Sequence, residues 1–507
     1  MVCDYLLPEG MTLAAAGKVL GERLEVRDGH TCVGDRAYYD TFDGRLRAAG
    51  RLAVWEDGSL ELIEIAADRT LAGAPVAKPR RPLFAGELPE GPLRGALTPL
   101  LADRALLPLI EIHCRERLFD VLDREHKTVV RMRLQQPALG RRRLRPRIHV
   151  AAVRGYDKAL RRVGQTLTAE LGFEQSQEAL VDEAVVLSGA RPGGTSGRIA
   201  VSFEPRQDAG AAAAAVLRRL LGVAEANMEG AVADVDSEFL HDLRVSVRRT
   251  RAVQRELRHV FEPTELERFR DDFRWLQQVT GDARDLDVYL LEFEQMRALV
   301  PAALRPDLDA LRAVLARRRA GARRRMVRAL RSERTASLLA DWSAFLGRLE
   351  RNESGGPDAG RPIGEVAGER IAKVYARMVR TGDAIGLASV AGDYHELRKK
   401  GKELRYLLEL FGAQLFPAEV VKPMIKSLKA LQDVLGRYQD REVQAATLRS
   451  LSGAVASASE GPAALMAMGV LVERLEEDQL AARDQFADTF ATFASRRQRK
   501  LVRETFA

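Results

Sequence analysis

Two short stretches of this chain carry the side chains best placed to do chemistry. His241, Arg244, Arg248 and Arg251 stand in FLHDLRVSVRRTRAVQRELRHVF, and His395, Arg398, Lys402 and Arg405 stand in YHELRKKGKELRYLLELF, each 154 positions after its counterpart. Steps of three, four and three residues put each set along one face of a helix. A row of one histidine and three cations repels itself, so a fold that keeps two such rows is expected to set a polyanion against them. Arginine offers a bidentate fork to phosphate oxygens and lysine a compact charge. A histidine in such a row donates N–H groups, and a bound phosphate favours its charged form. Binding is therefore expected to tighten as pH falls from about 8 to 6. The plainer alternative has the long stems lying over the core edge with their heads solvated. Two copies in register argue against it, because independent drift would not keep all four positions aligned.

The elements that hold these rows follow from the stripe one residue back, which is mostly apolar: Leu240, Leu243, Val247, Leu257 and Phe261 in the first copy, Tyr394, Leu397, Leu404, Leu408 and Phe411 in the second. That stripe is the core face. Around it the pattern is helical from Ala209 to the end. The expected helices are an alanine-rich opener to about Asp234, the first histidine helix, Glu265–Thr280, Leu286–Leu299, a basic helix from Asp307 to about Arg331, and Leu338–Leu349. Seven arginines between Arg317 and Arg328 are too many for one face of that basic helix, so some must be solvated. After NESGGPDAGRP, the plan repeats with Ile363–Gly382, the second histidine helix, Val420–Leu435, Arg441–Leu451 and Gly469–Phe493.

The repeat extends beyond the histidine helices. LQQVTG with Asp285 and Val288 matches LQDVLG with Asp440 and Val443, shifted by 155 positions. Gly281 and Gly436 suit helix ends that need positive φ, and Asp285 and Asp440 suit the N-caps of the following helices. Arg274 and Lys429 match with the same shift, and Arg219 and Lys373 with the 154-position shift of the histidine rows, so matched cations reach three helices per half.

HDLRVSVRRTR with GDARDLDV, and HELRKKGKELR with GRYQDREV, resemble the CHAD domain, the conserved-histidine α-helical domain, over about 300 residues. The resemblance implies an all-α domain of two pseudo-symmetric helical bundles, with a basic cavity or groove between them that binds inorganic polyphosphate. It carries His241, Arg244, Arg248, Arg251, His395, Arg398, Lys402 and Arg405 onto the lining of that surface, with Lys399 beside them. Polyphosphate granules and polyphosphate-metabolising enzymes are the further partners such a binder would have.

Before the linker SGARPGGTSG the chain reads as strands. Alternation in Arg51–Trp55 and Ser59–Ile65 around Glu56-Asp57-Gly58 marks a hairpin. Leu109–Cys114, Arg117–Leu122, Thr128–Leu134 and Ile148–Val153 are further strands, with helices at Leu13–Leu20 and Tyr156–Leu171. YYDTFDGRLRAAGRLAVWEDGSLE, the Arg115–Asp123 and Lys127–Arg133 strands, and IHVAAVRGYDKALRRVGQTL resemble the CYTH domain, the triphosphate tunnel metalloenzyme fold, which implies an antiparallel β-barrel around a phosphate channel. Two metals held against triphosphate need an ExExK motif on the first strand and paired acids on a late one. MVCDYLLPE has no such motif, and the late strand reads Arg147-Ile148-His149-Val150-Ala151. Arg115 with Arg117, and Arg131 with Arg133, sit at alternate strand positions that suit either a channel lining or solvent.

The whole chain has 507 residues, enough for two or three domains. A hydrophobic content of 46% marks it as globular. The net charge is +8 and the pI about 9.4. No apolar run approaches the roughly 20 residues of a membrane span, and no signal sequence opens the chain, so a cytoplasmic setting is expected, with association with polyphosphate granules. Cys3, Cys32 and Cys114 read as free thiols.

The expected protein is α+β and multidomain: a CYTH-like, catalytically degenerate barrel over 1–187, a linker over 188–208, and a CHAD domain over 209–507 with halves of about 209–351 and 362–507. It is a non-catalytic polyphosphate-binding module with no cofactor and no metal, using the nine residues above with Arg219, Lys373, Arg274 and Lys429. Three alternatives stand beside it. The first is a metal-dependent triphosphate hydrolase or cyclase in the barrel, or a phosphohydrolase built on His241-Asp242, whose repeat is His395-Glu396. The second is nucleic-acid binding, which the basic helices permit but the 6% aromatic content does not favour beyond a weaker competitor. The third is a scaffold for an acidic protein.

Overall fold

In the computed structural model of the protein every residue is described except 1, 68, 191–193, 196–198, 200, 387, 459 and 507. The chain divides into two compact units, Met1–Gly197 and Arg198–Ala507. Part of the expected linker lies outside the described residues.

The first unit is built on ten antiparallel strands: β1 (Val2–Leu6), β2 (Val26–Asp40), β3 (Arg51–Glu56), β4 (Ser59–Glu64), β5 (Arg69–Pro75), β6 (Leu107–Leu122), β7 (Thr128–Leu139), β8 (Arg142–Arg143), β9 (Arg147–Ala152) and β10 (Glu174–Gln175). They run in the order β10-β1-β9-β7-β6-β2-β3-β4-β5, with β8 beside β7. The β3–β4 turn is the expected one: Asp57 and Gly58 both have positive φ, at 48° and 83°, which matches the twist of the flanking strands. The expected closed barrel is corrected to an open sheet. β10 and β5 stand at its two ends, and β10 is only two residues long, covering Tyr5 and Leu6 of β1, so that edge offers little ladder on which to close. The expected break at Arg115–Glu116 is also absent, because β6 runs straight through it against β2.

Helices cover both faces of this sheet. On one side α1 (Leu13–Arg23) and α4 (Asp157–Gln165) bury Leu20, Leu160 and Val163 against Phe119, Val130, Met132 and Val150. Short α2 (Arg45–Ala48) and α3 (Pro92–Leu101) bury Leu46, Leu97 and Leu101 with Leu60 and Leu62. The last helix of the unit, α5 (Leu180–Leu187), packs Val181 and Val185 on Tyr38, Leu52 and Ile112.

The two arginine pairs of this unit do not share a face. Arg115 and Arg117 stand opposite Gln136 and Leu134, whereas Arg131 and Arg133 stand opposite Asp120 and Leu118. Cross-strand partners share a face and neighbours alternate, so the pairs point to opposite sides. Arg133 lines a cavity of about 390 Å³ with Asp4, Arg36 and His149. Arg115 and Arg117 line a separate cavity of about 880 Å³ beside the start of α1.

The second unit is helical: α6 (Ala209–Ala233), α7 (Ser237–Glu256), α8 (Pro263–Val279), α9 (Gly281–Leu291), α10 (Phe293–Ala298), α11 (Asp309–Leu330) and α12 (Glu333–Glu350). The repeat brings α13 (Ile363–Asp383), α14 (Ala391–Leu407), α15 (Ala413–Leu415), α16 (Ala418–Ala456), α17 (Gly461–Phe493) and α18 (Arg496–Phe506). One core cluster draws on both halves, joining Phe293, Leu311 and Leu315 to Leu448, Leu471 and Leu475.

One expectation fails in an instructive way. Val420–Leu435 and Arg441–Leu451 are a single helix, α16, and neither Gly281 nor Gly436 is among the positive-φ glycines. Asp440 lies inside α16 and Asp285 inside α9, so neither is an N-cap. The same motif breaks the helix only in the first half. There the Thr280 hydroxyl turns back to the Leu276 carbonyl at 2.8 Å, a bond that Leu435 cannot make.

Candidate functional site

The first cationic row sits on α7, which Asp236 caps by accepting from the backbone N–H of Glu238 and Phe239 at 3.0 and 3.3 Å. The second sits on α14, where the Asp393 carboxylate accepts from Val390 N–H at 3.2 Å. Every residue of both apolar stripes is buried. With those stripes committed to the core, the rows are left at its edge, and α7 and α14 pack against each other.

The seam between the two helices is stitched by ion pairs that the sequence reading did not anticipate. Arg249 of α7 reaches Glu409 at 3.0 Å, and Arg255 reaches Glu403 at 2.9 Å. Arg370 of α13 pairs with buried Glu256. Glu409 also holds Arg405 of the second row at 2.7 Å, whereas Arg248, Arg251 and Lys402 make no ion pair among the described residues. The signal was present as Glu256, Glu403 and Glu409, but nothing in one helix's periodicity says which partner helix it will meet.

Four row residues share one electrostatic field. Burial, the repulsion of Arg398 and that of Arg248 together push the Lys402 ammonium down to about 8, against the pull of Asp440. Burial pushes Arg244 down to about 10, with Asp285 opposing and Arg248 and Arg284 adding to the repulsion. Thus Arg248, from the first copy, acts on Lys402, from the second. Neither makes a hydrogen bond or an ion pair among the described residues, and the Arg248 Nε is buried without an acceptor. Arg251 is equally unpaired, and its pKa is lowered by burial and by Arg255, Arg274 and Arg270. Arg274 on α8 thus acts on Arg251, although its guanidinium pairs with Asp271 at 2.8 Å.

The repeated Gly–Asp motif cradles the two arginines that begin the rows. A Cβ on Gly281 would lie 3.7 Å from Arg244 Nη1, and one on Gly436 would lie 3.7 Å from Arg398 Nη2. Arg244 donates to the Gln277 carbonyl at 2.7 Å and to the Thr280 hydroxyl at 2.9 Å, beside Asp285, whose carboxyl burial raises. Arg398 donates to Asp440 at 3.0 Å. At both motifs the guanidinium lies in ordinary contact with the glycine, and in the second copy Asp440 also orients it.

The remaining residues are more dispersed. His395 is exposed and joins Gln439 of α16 at 2.9 Å through Nδ1. His241 is half-buried on α7. Lys399 pairs with Glu396 at 2.6 Å, and Arg405 turns to Glu409 at 2.7 Å and Gln432 at 3.3 Å. Lys373 and Lys429 are exposed without an ion pair among the described residues, and Arg219 is half-buried. Among the described residues no three His, Cys, Asp or Glu side chains converge as a metal ion would require, and no helix is long and apolar enough to cross a membrane.

An uncharacterized protein from each of two strains of Mycobacterium tuberculosis is 30% identical over 209 residues, covering 41% of this chain. The chain spans only 39% of the length of these curated relatives. Among solved structures, the CHAD domain from the plant Ricinus communis is 22% identical and covers 58% of this chain and 95% of its own, with a TM-score of 0.49. PptA from Streptomyces chartreusis is 19% identical and covers 56% of this chain and 99% of its own, with a TM-score of 0.43. The family model of the CHAD domain matches residues 215–449, the stretch that contains both rows and both Gly–Asp motifs, and this segment is a CHAD domain.

Proposed function

We propose that the helical unit is a non-catalytic binding module for inorganic polyphosphate, which it holds along the seam of α7 and α14. The observation that carries this reading is the juxtaposition of Arg248 and Lys402: one cation from each copy, partly buried, in one field, with no ion pair among the described residues. A buried cation without a partner is costly to keep, and a polyanion relieves that cost. Polyphosphate is a linear chain of charge with no ring or base to recognise, and the seam matches it with dense cations and no row aromatics. His241, Arg244, Arg251, His395, Arg398, Lys399 and Arg405 complete the lining in this reading, and Arg219, Lys373, Arg274 and Lys429 extend it. The same reading takes the helical unit as two pseudo-symmetric bundles around a basic groove in a cytoplasmic protein.

Calorimetric titration of polyphosphate into wild type and Arg248→Ala/Lys402→Ala tests the assignment. A loss of about tenfold or more in affinity is expected from two phosphate contacts removed. Equal affinities would mean that the two cations are not the site. The N-terminal unit is taken as non-catalytic in the same reading, and hydrolysis of triphosphate with added magnesium or manganese would overturn that part.

A further inference from the structure

Outside the seam, the most one-sided charge distribution in the helical unit belongs to α11. Between Asp309 and Glu333 the sequence contains no acid and nine arginines. The helix divides them by face. Arg319 and Arg323 are anchored to Asp234, and Arg319 also to Asp287, while Arg325 reaches Asp282 at 3.1 Å. Leu311, Leu315, Ala322 and Met326 are buried in the core. Arg317, Arg324, Arg328 and Arg331, spaced by seven, four and three residues, form an exposed crest and make no ion pair or hydrogen bond among the described residues.

Such a crest works against the helix that carries it, since like charges at i, i+3 and i, i+4 destabilise it. Solubility alone does not explain the choice, because lysine or mixed charge would serve. A run of arginine only, with forked donors along about 20 Å of helix axis, suits phosphate oxygens. The crest is also linked to the seam: Asp282, which holds Arg325, acts on Arg244 as well.

We propose that the α11 crest is a second contact surface for the same linear polyanion, so that a chain long enough to leave the seam gains affinity by lying along Arg317, Arg324 and Arg328. This rests on the seam reading and adds chain-length preference to it.

The test compares tripolyphosphate with long-chain polyphosphate on wild type, Arg317→Ala/Arg324→Ala/Arg328→Ala and Arg248→Ala/Lys402→Ala. Alanine is the best helix former, so the crest variant keeps its helix, and circular dichroism with thermal melting verifies this. The crest variant is expected to bind tripolyphosphate as wild type does and to bind the long chain about tenfold more weakly, with a shallower salt dependence. An unchanged long-chain affinity, an equal loss for both chain lengths, or a loss confined to duplex DNA would overturn the crest while leaving the seam standing. If wild type binds neither chain, or the Arg248/Lys402 pair proves dispensable, the seam reading fails and the crest proposal falls with it.

Discussion

Arg398 lies against Gly436 and donates to Asp440 at 3.0 Å, four residues further along the same helix. Because Gly436 has ordinary helical geometry, Gly436→Ala should be tolerated and should raise stability by about 0.5–1 kcal/mol, the usual gain for alanine over glycine inside a helix. Gly436→Leu should displace the guanidinium and weaken polyphosphate binding. Urea unfolding and a binding titration on the two variants check this. A marked destabilisation by Gly436→Ala would point instead to a conformation that only glycine can adopt.

Gly230 provides the contrast. A Cβ there would lie 2.1 Å from the Phe239 ring, so α6 and α7 approach more closely than any side chain allows. Gly230→Ala should cost about 1–3 kcal/mol by overpacking. A thermal melt unchanged from wild type would contradict this packing.

Lys402 gives the site a pH dependence of its own. Burial and its cationic neighbours hold it at about 8 rather than 10.5 in the free protein, so part of the population is neutral at pH 8. A polyanion favours the charged form, and affinity should fall as pH rises from about 7 to 9. Folding stability runs the other way. Between about 8 and 10.5 the unfolded chain binds more protons at this lysine, so the stability of the ligand-free protein should rise with pH across that window. Lys402→Arg keeps the charge and should flatten the upper part of the binding profile. A variant as steep as wild type between pH 7 and 9 would remove Lys402 from the account.

The seam itself depends on Glu256. Burial alone would raise its carboxyl, but hydrogen bonds from Arg370 and Arg255 hold it below the usual carboxylate range. Glu256→Ala leaves Arg370 without its carboxylate and should cost about 3 kcal/mol. Because the folded pKa is lowered, this contribution should be present at neutral pH and be lost on acidification below about 4. A cost under about 1 kcal/mol in urea unfolding at pH 7 would mean that the pair is solvated.

Much of this architecture is legible in the sequence. The apolar stripes of both histidine helices are buried as their periodicity requires, and the Asp57-Gly58 turn forms where the strand alternation breaks. What escaped was long-range. A glycine followed by an aspartate four residues on reads locally as a helix end and a cap, whereas Gly436 and Asp440 serve an arginine from another helix. Likewise, Arg115 and Arg133 look alike in their own strands, and only the β6–β7 register shows that they face opposite sides. The open sheet edge has the same origin: pairing between distant strands is not written in either one alone.

The central claim is that the paired rows form one polyanion site. Its most direct test is a salt titration of long-chain polyphosphate binding to wild type and to Arg244→Ala/Arg248→Ala/Arg398→Ala/Lys402→Ala, with DNA as competitor. The account predicts that wild type binds tightly and prefers polyphosphate over DNA, and that the quadruple variant loses both the affinity and most of the salt slope. A variant that binds polyphosphate as tightly and with the same slope as wild type would show that the rows are solvated faces.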